Sequence, residues 1–148
     1  MTAAELRAQL SVIEPTEAMY VGITPSDVPA LQQLIAQSEG WLAARAVFAL
    51  SRVGTGEAVA AMAGAVTDSR SPVRVAVAAA ASQRPIVLPD TALIHLLRDT
   101  DIGVRKFAPQ AVKPENGSEP RAELTRLATH DEVPVIRQNA AEALRKFR

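Results

Sequence analysis

Residues 68–74 read DSRSPVR, residues 99–105 read DTDIGVR and residues 131–137 read DEVPVIR. Each stretch sets an Asp six residues before an Arg and a β-branched apolar residue directly before that Arg: Asp68, Val73 and Arg74; Asp99, Val104 and Arg105; Asp131, Ile136 and Arg137. The Arg-to-Arg steps are 31 and 32 residues. Small or apolar residues then recur three, six and seven positions after each Arg, at Val77, Ala80 and Ala81, at Ala108, Ala111 and Val112, and at Ala140, Ala143 and Leu144. That spacing is one narrow, alanine-rich face of a helix.

Working outward, a shift of 31 residues aligns three more registers: Leu31, Met62, Leu93 and Leu124; Leu34, Ala65, Leu96 and Leu127; Ile35, Val66, Leu97 and Ala128. Within a unit these fall at i, i+3 and i+4, which predicts an amphipathic first helix before each of the second helices. Residues 38–53 align as an earlier copy in which Ala43 takes the Arg position and Gln37 the Asp position. The final second helix is expected over Val135 to Phe147.

The breaks between units are punctuated. Ser26 is expected to cap the helix carrying Pro29, and Gly54-Thr-Gly56 to separate the first two units. The run Pro85 to Pro89 predicts a non-helical connector with Asp90 as the next cap, and Lys113 to Pro120 a long loop with Ser118 capping the helix after it. Before Ser26 the reading is a short helix, about Ala3 to Ile13, with Leu6, Leu10 and Ile13 on one face and Glu14-Pro15 ending it. With Met19 and Tyr20 it would cover the first exposed face. The expected organisation is one domain over residues 1–148, with a cap segment 1–25 and repeats 26–54, 55–84, 85–117 and 118–148.

The units containing Arg74, Arg105 and Arg137 resemble short bacterial HEAT-like repeats, whose paired helices carry an Asp…Val-Arg…Ala…Ala-Leu pattern. Their length is similar to that of the repeats in phycobilin-lyase subunits. The resemblance spans roughly Ser26 to Phe147 and is weak around Ala43. It implies an all-α, right-handed α-solenoid of about four antiparallel helix pairs with an N-terminal helical cap, and an interaction role. It implies no lyase chemistry, because the pattern itself is packing.

Composition narrows the function classes. Apolar residues make up 48% and aromatic ones 3%, a balance suited to closely packed helices. With 16 basic and 16 acidic side chains the net charge is zero, so no overall field draws the chain to nucleic acid or anionic lipid. No cysteine, signal-peptide pattern or membrane-length apolar run is present, and the expectation is a cytoplasmic protein. His95 and His130 lack metal-ligand spacing, and neither a catalytic triad nor a phosphate-binding glycine loop is visible, so no cofactor and no catalysis are expected. DNA-glycosylase-like activity and nucleic-acid binding rank last, given one Trp, one Tyr and three Phe and no basic excess.

The leading expectation is therefore a non-catalytic adaptor or scaffold for a protein or peptide. The alternative is an accessory or chaperone subunit of an enzyme such as a lyase-type complex. Second helices line the concave face of such a fold, so apolar residues beyond the inner stripe are the candidate contacts. Phe48, Val75 and Phe107 form the expected strip, Arg45 and Lys106 its polar rim, and Trp41 an anchor; the occupant is a partner segment or a second copy of the chain. Asp68 with Arg74, Asp99 with Arg105, and Asp131 with Arg137 are read as structural pairs that bridge the turn before each second helix.

Overall fold

A computed structural model describes residues 1–13 and 15–147; Glu14, expected to help end the first helix, and Arg148 lie outside the described residues. Every regular element among the described residues is helical. Among the described residues, no helix is long and apolar enough to cross a membrane. The chain divides into two compact units, Met1–Val77 and Ala78–Arg148.

The first unit holds α1 (Ala3–Leu10), α2 (Val28–Gln37), α3 (Gly40–Val53), α4 (Gly56–Gly64) and the start of α5 (Ser71–Gln83). Thr2 begins α1 with a reciprocal capping box to Glu5. Leu6 and Leu10 are fully buried, as the stripe requires, but α1 stops at Leu10 and Ile13 is 96% exposed. Three residues of lost helix turn Ile13 off the face it was expected to share. Thr24, not Ser26, forms the capping box ahead of α2, with Asp27 as its partner across a short 3₁₀ turn, and Pro29 sits in the first turn of α2. Gly54 closes α3 with φ +68°, a left-handed position that glycine takes without strain, and Thr55 caps α4 by accepting from the Ala58 N–H. Helix α2 packs on α1, α3 and α4, and α3 packs on α1 and α4.

The second unit holds the rest of α5, α6 (Asp90–Leu97), α7 (Ile102–Ala111), α8 (Ser118–His130) and α9 (Pro134–Arg145). Here α6 packs on α7 and α8, and α9 packs on α7 and α8. The contacts therefore join α6 to α8 and α7 to α9 as well as α6 to α7 and α8 to α9. The connector before α6 is non-helical, with Ile86 and Leu88 buried and Val87 exposed between them. Pro89 occupies the cap position of α6 and Gly117 that of α8, so Asp90 and Ser118 are each one residue inside the helix they were expected to cap. Asp90 uses its carboxylate elsewhere, on Asn116 and Gly117.

The registers found by sliding the sequence form most of the core, with Ala128 and Leu144 only half-buried. Leu31, Met62, Leu93 and Leu124 are all fully buried, as are Ala46, Ala49, Leu50, Val77, Ala80, Ala81, Ala108, Ala111, Val112, Ala140 and Ala143. Alanine on the inner faces lets second helices approach closely while adding little side-chain entropy to the cost of folding. Of the residues expected to lean outward on the second helices, Val47, Ala76, Ala78, Ala79 and Pro109 are buried as well. Most of the apolar surplus thus belongs to packing.

One polar contact in the first unit sets a pH dependence. Asp27 is 2% exposed and accepts from the Met1 ammonium at 2.5 Å and from the Thr24 backbone N–H at 2.8 Å. The ammonium bond and then the Thr24 bond hold the Asp27 carboxyl below its ordinary range, and the Asp27 bond raises the Met1 amine above its own. The aspartate's contribution is fully present above about pH 4 and lost as pH falls through its depressed folded value; the amine's is present below about pH 8 and lost as pH rises through its raised one. Asp27→Asn should lower stability by about 1–2 kcal/mol near pH 6 and by much less near pH 2, read from urea midpoints at the two pH values.

Candidate partner-binding surface

Helix α3 begins where Gly40 passes Pro72, whose Cβ and Cγ would lie 3.6 Å from an added Cβ. That approach places Trp41 in the first turn of α3 with 51% of its surface exposed. Arg45 stands one turn on, at the i+4 position that shares a face with Trp41. Its guanidinium carbon lies 5.2 Å from the Trp41 ring centroid, within cation–π range. The same guanidinium donates to the Leu10 carbonyl at 2.8 Å and to the Val12 carbonyl. It therefore satisfies carbonyls left open at the end of α1 and ties that end to the indole.

The result is a corner in which Trp41 and the Val12 carbonyl share one cation, with Val12 40% exposed and Ile13 next to it in sequence. Sequence reading proposed Trp41 as an anchor in the turn before α3 and Arg45 as rim to a different strip; the structure puts Trp41 inside the helix and Arg45 on its face. Sequence periodicity sets Ile13 on the inner face of the helix and assigns Val12 to no face. The signal that could have found them is the run Ser11-Val-Ile-Glu-Pro15, where a helix of that length meets a proline.

The expected apolar strip is described differently. Phe48 and Val75 lie in the first unit and Phe107 in the second, and all three are half-buried. Lys106 is exposed, with its ammonium 5.8 Å from the neighbouring Phe107 ring and its carbonyl accepting from the Asn139 amide. The structure brings Trp41 and Arg45 into contact and leaves the strip residues partly covered.

The Asp and Arg positions make a defined network. Arg74, Arg105 and Arg137 each donate to the backbone carbonyl of the Asp six residues earlier, at 2.9, 2.9 and 2.6 Å. The Asp carboxylates instead accept from the backbone N–H two residues on, at Arg70, Asp101 and Val133. Each such Asx turn shapes the bend into the second helix. Arg105 also reaches forward to the Asp131 carboxylate, Nε to Oδ2 at 2.9 Å. Burial alone would push the Asp131 carboxyl up; the Val133 N–H and Arg105 outweigh it and hold the group below the usual carboxylate range.

Ala43 stands in the same register ahead of Asp68 and is fully buried, with no room for an arginine. Arg70 takes over there. It binds both Asp68 oxygens, at 2.9 and 2.8 Å, and donates to the Ser38 and Ile35 carbonyls at 2.6 and 2.8 Å, closing the end of α2. Neither this substitution nor the trio of Arg98, Glu123 and Arg126 was visible in the repeat pattern. Glu123 is buried and accepts from Arg98 at 2.6 Å and Arg126 at 2.8 Å, and Arg98 first among its neighbours holds the carboxyl low. Arg98 and Arg126 line a polar cleft of about 290 Å³ with Asp99, Arg105, His130, Asp131 and Glu132. Its charges of both signs are largely spent on one another.

His130 is exposed and shares a 2.6 Å hydrogen bond with Thr129, and His95 is exposed as well. Among the described residues, no group of three His, Asp or Glu side chains is placed to hold a metal ion. No family model matches the chain, and no curated protein matches it.

Proposed function

We propose that this chain is a non-catalytic interaction module, a HEAT-like α-solenoid of paired helices, that docks a segment of a protein partner on the Trp41 corner. The observation that carries the reading is Trp41 itself: a half-exposed indole in a rigid helical turn, backed by a guanidinium already held by two carbonyls. A large aromatic fixed in place loses little entropy on binding, and tryptophan and arginine are the side chains that most often dominate interfaces. Val12, whose carbonyl holds the same guanidinium, and Ile13 next to it in sequence are exposed apolar residues. The balanced charge and mutually paired arginines favour a protein over a nucleic-acid ligand.

The test is capture from the native source with the full chain as bait, wild type beside Trp41→Ala and beside Phe48→Ser with Phe107→Ser. Loss of a defined partner with Trp41→Ala, at unchanged circular dichroism, is the expected result. Retention of that partner by folded Trp41→Ala, with loss only in the Phe48/Phe107 variant, would move the docking surface to the second-helix strip.

A further inference from the structure

Asn116-Gly117 lies in the loop between α7 and α8, and its surroundings single it out. Asn116 is 6% exposed. Its side-chain amide donates to the Leu88 carbonyl and to Asp90 Oδ1, both at 2.9 Å, and its side-chain carbonyl accepts the Lys113 N–H at 2.9 Å. The Gly117 N–H points to the Asp90 carboxylate, at 3.1 and 3.3 Å. The loop is latched onto the connector before α6 through one asparagine and one aspartate.

Sterics decide the residue after that asparagine. A Cβ at position 117 would lie 2.6 Å from Asp90 Oδ2, so any larger residue would push the carboxylate out of its present place. The latch in this geometry is built on an Asn-Gly step, the dipeptide whose unhindered glycine nitrogen attacks the asparagine side chain most readily. In that reaction the Gly117 nitrogen bonds to the Asn116 side-chain carbonyl carbon, the bond to Nδ2 breaks, and ammonia leaves. Water then opens the cyclic imide at either carbonyl, giving aspartate or isoaspartate and one added negative charge.

We infer that Asn116-Gly117 is a latent deamidation site that the closed latch suppresses and that local opening of the loop unmasks irreversibly. Closure blocks the reaction in three ways. The side-chain amide cannot turn toward Gly117 without giving up three hydrogen bonds. The Asp90 carboxylate disfavours loss of the Gly117 proton, which must precede attack. The buried amide has little access to water. Once formed, a carboxylate at position 116 faces Asp90 across the former 2.9 Å contact. Like charges at that distance resist closure, and the isoaspartyl form adds a backbone methylene as well.

The experiment follows the amide-to-acid mass change of the peptide containing Asn116 in the full chain at mildly alkaline pH, folded and in urea. Three bonds of ordinary strength predict a rate about a hundredfold lower in the folded chain. Asp90→Ala, with its fold checked by circular dichroism, should deamidate about tenfold faster than folded wild type, since it loses two of the latch contacts; Asp90→Asn serves if the alanine variant does not fold. Asn116→Asp, standing for the product, should show faster amide hydrogen exchange over residues 85–117 than wild type. Equal rates in folded and unfolded wild type, a folded Asp90 variant as inert as wild type, or unchanged exchange in Asn116→Asp would each overturn the inference.

Discussion

Asp131→Ala is expected to destabilise the chain by about 2–4 kcal/mol, among the largest single effects available outside the apolar core. The carboxylate is 8% exposed and carries two separate duties, accepting the Val133 N–H that turns the chain into α9 and the Arg105 guanidinium that reaches forward from α7. Removing it frees a backbone N–H and leaves the Arg105 side chain, itself only 16% exposed, without its anion. Arg105 keeps the Asp99 and Thr100 carbonyls, which holds the loss below that of a fully orphaned buried charge. Because the folded carboxyl is held below its ordinary range, the contribution is present above about pH 4 and fades as pH falls through the folded value. Urea midpoints of wild type and variant check it, and equal midpoints at pH 7 would refute the assigned role.

The second large effect is expected at Arg70. Arg70→Ala removes the donors to the Ile35 and Ser38 carbonyls together with the guanidinium paired to Asp68, and should cost about 2–3 kcal/mol. Arg70→Lys should recover less than half, since one ammonium cannot hold a carboxylate in two places and reach two carbonyls. The hydrogen bonds from Arg70 to Asp68 keep that carboxyl low, so the loss too should shrink in acid as the aspartate protonates. A Lys variant as stable as wild type would show that a point charge suffices there.

The contrast between Arg70 and Arg105 shows what was legible in sequence. Helical periodicity located the buried faces because burial is cumulative: Leu31, Met62, Leu93 and Leu124 repeat a single requirement, and each is fully buried. The arginines were legible as positions but not as geometry. Their spacing suggested pairs with Asp68, Asp99 and Asp131; each guanidinium meets its Asp at the backbone carbonyl, while the carboxylate accepts the N–H two residues on. Arg70 was hidden because it works where the repeat fails at Ala43, and a missing register announces no replacement.

The candidate surface was legible in part. Trp41 and Arg45 were picked out separately, one for its size and one for its charge. Their contact follows from the i, i+4 spacing on α3, whereas the hold of Arg45 on the Leu10 and Val12 carbonyls goes with α1 ending at Leu10. The same three-residue difference exposes Val12 and Ile13. Phe48, Val75 and Phe107 are half-buried, and their apolar neighbours Val47, Ala76, Ala78 and Ala79 are buried, so an apolar surplus on a helix serves packing as well as surface.

Trp41 is the single tryptophan of the chain, so its fluorescence reports on the proposed docking corner alone. Titrating the full chain with the captured partner segment, chosen free of tryptophan, should shift the emission to shorter wavelength and cut acrylamide quenching as the indole loses water. Binding that saturates by an independent measure while emission and quenching stay those of the free chain would contradict the assignment of Trp41 to the interface.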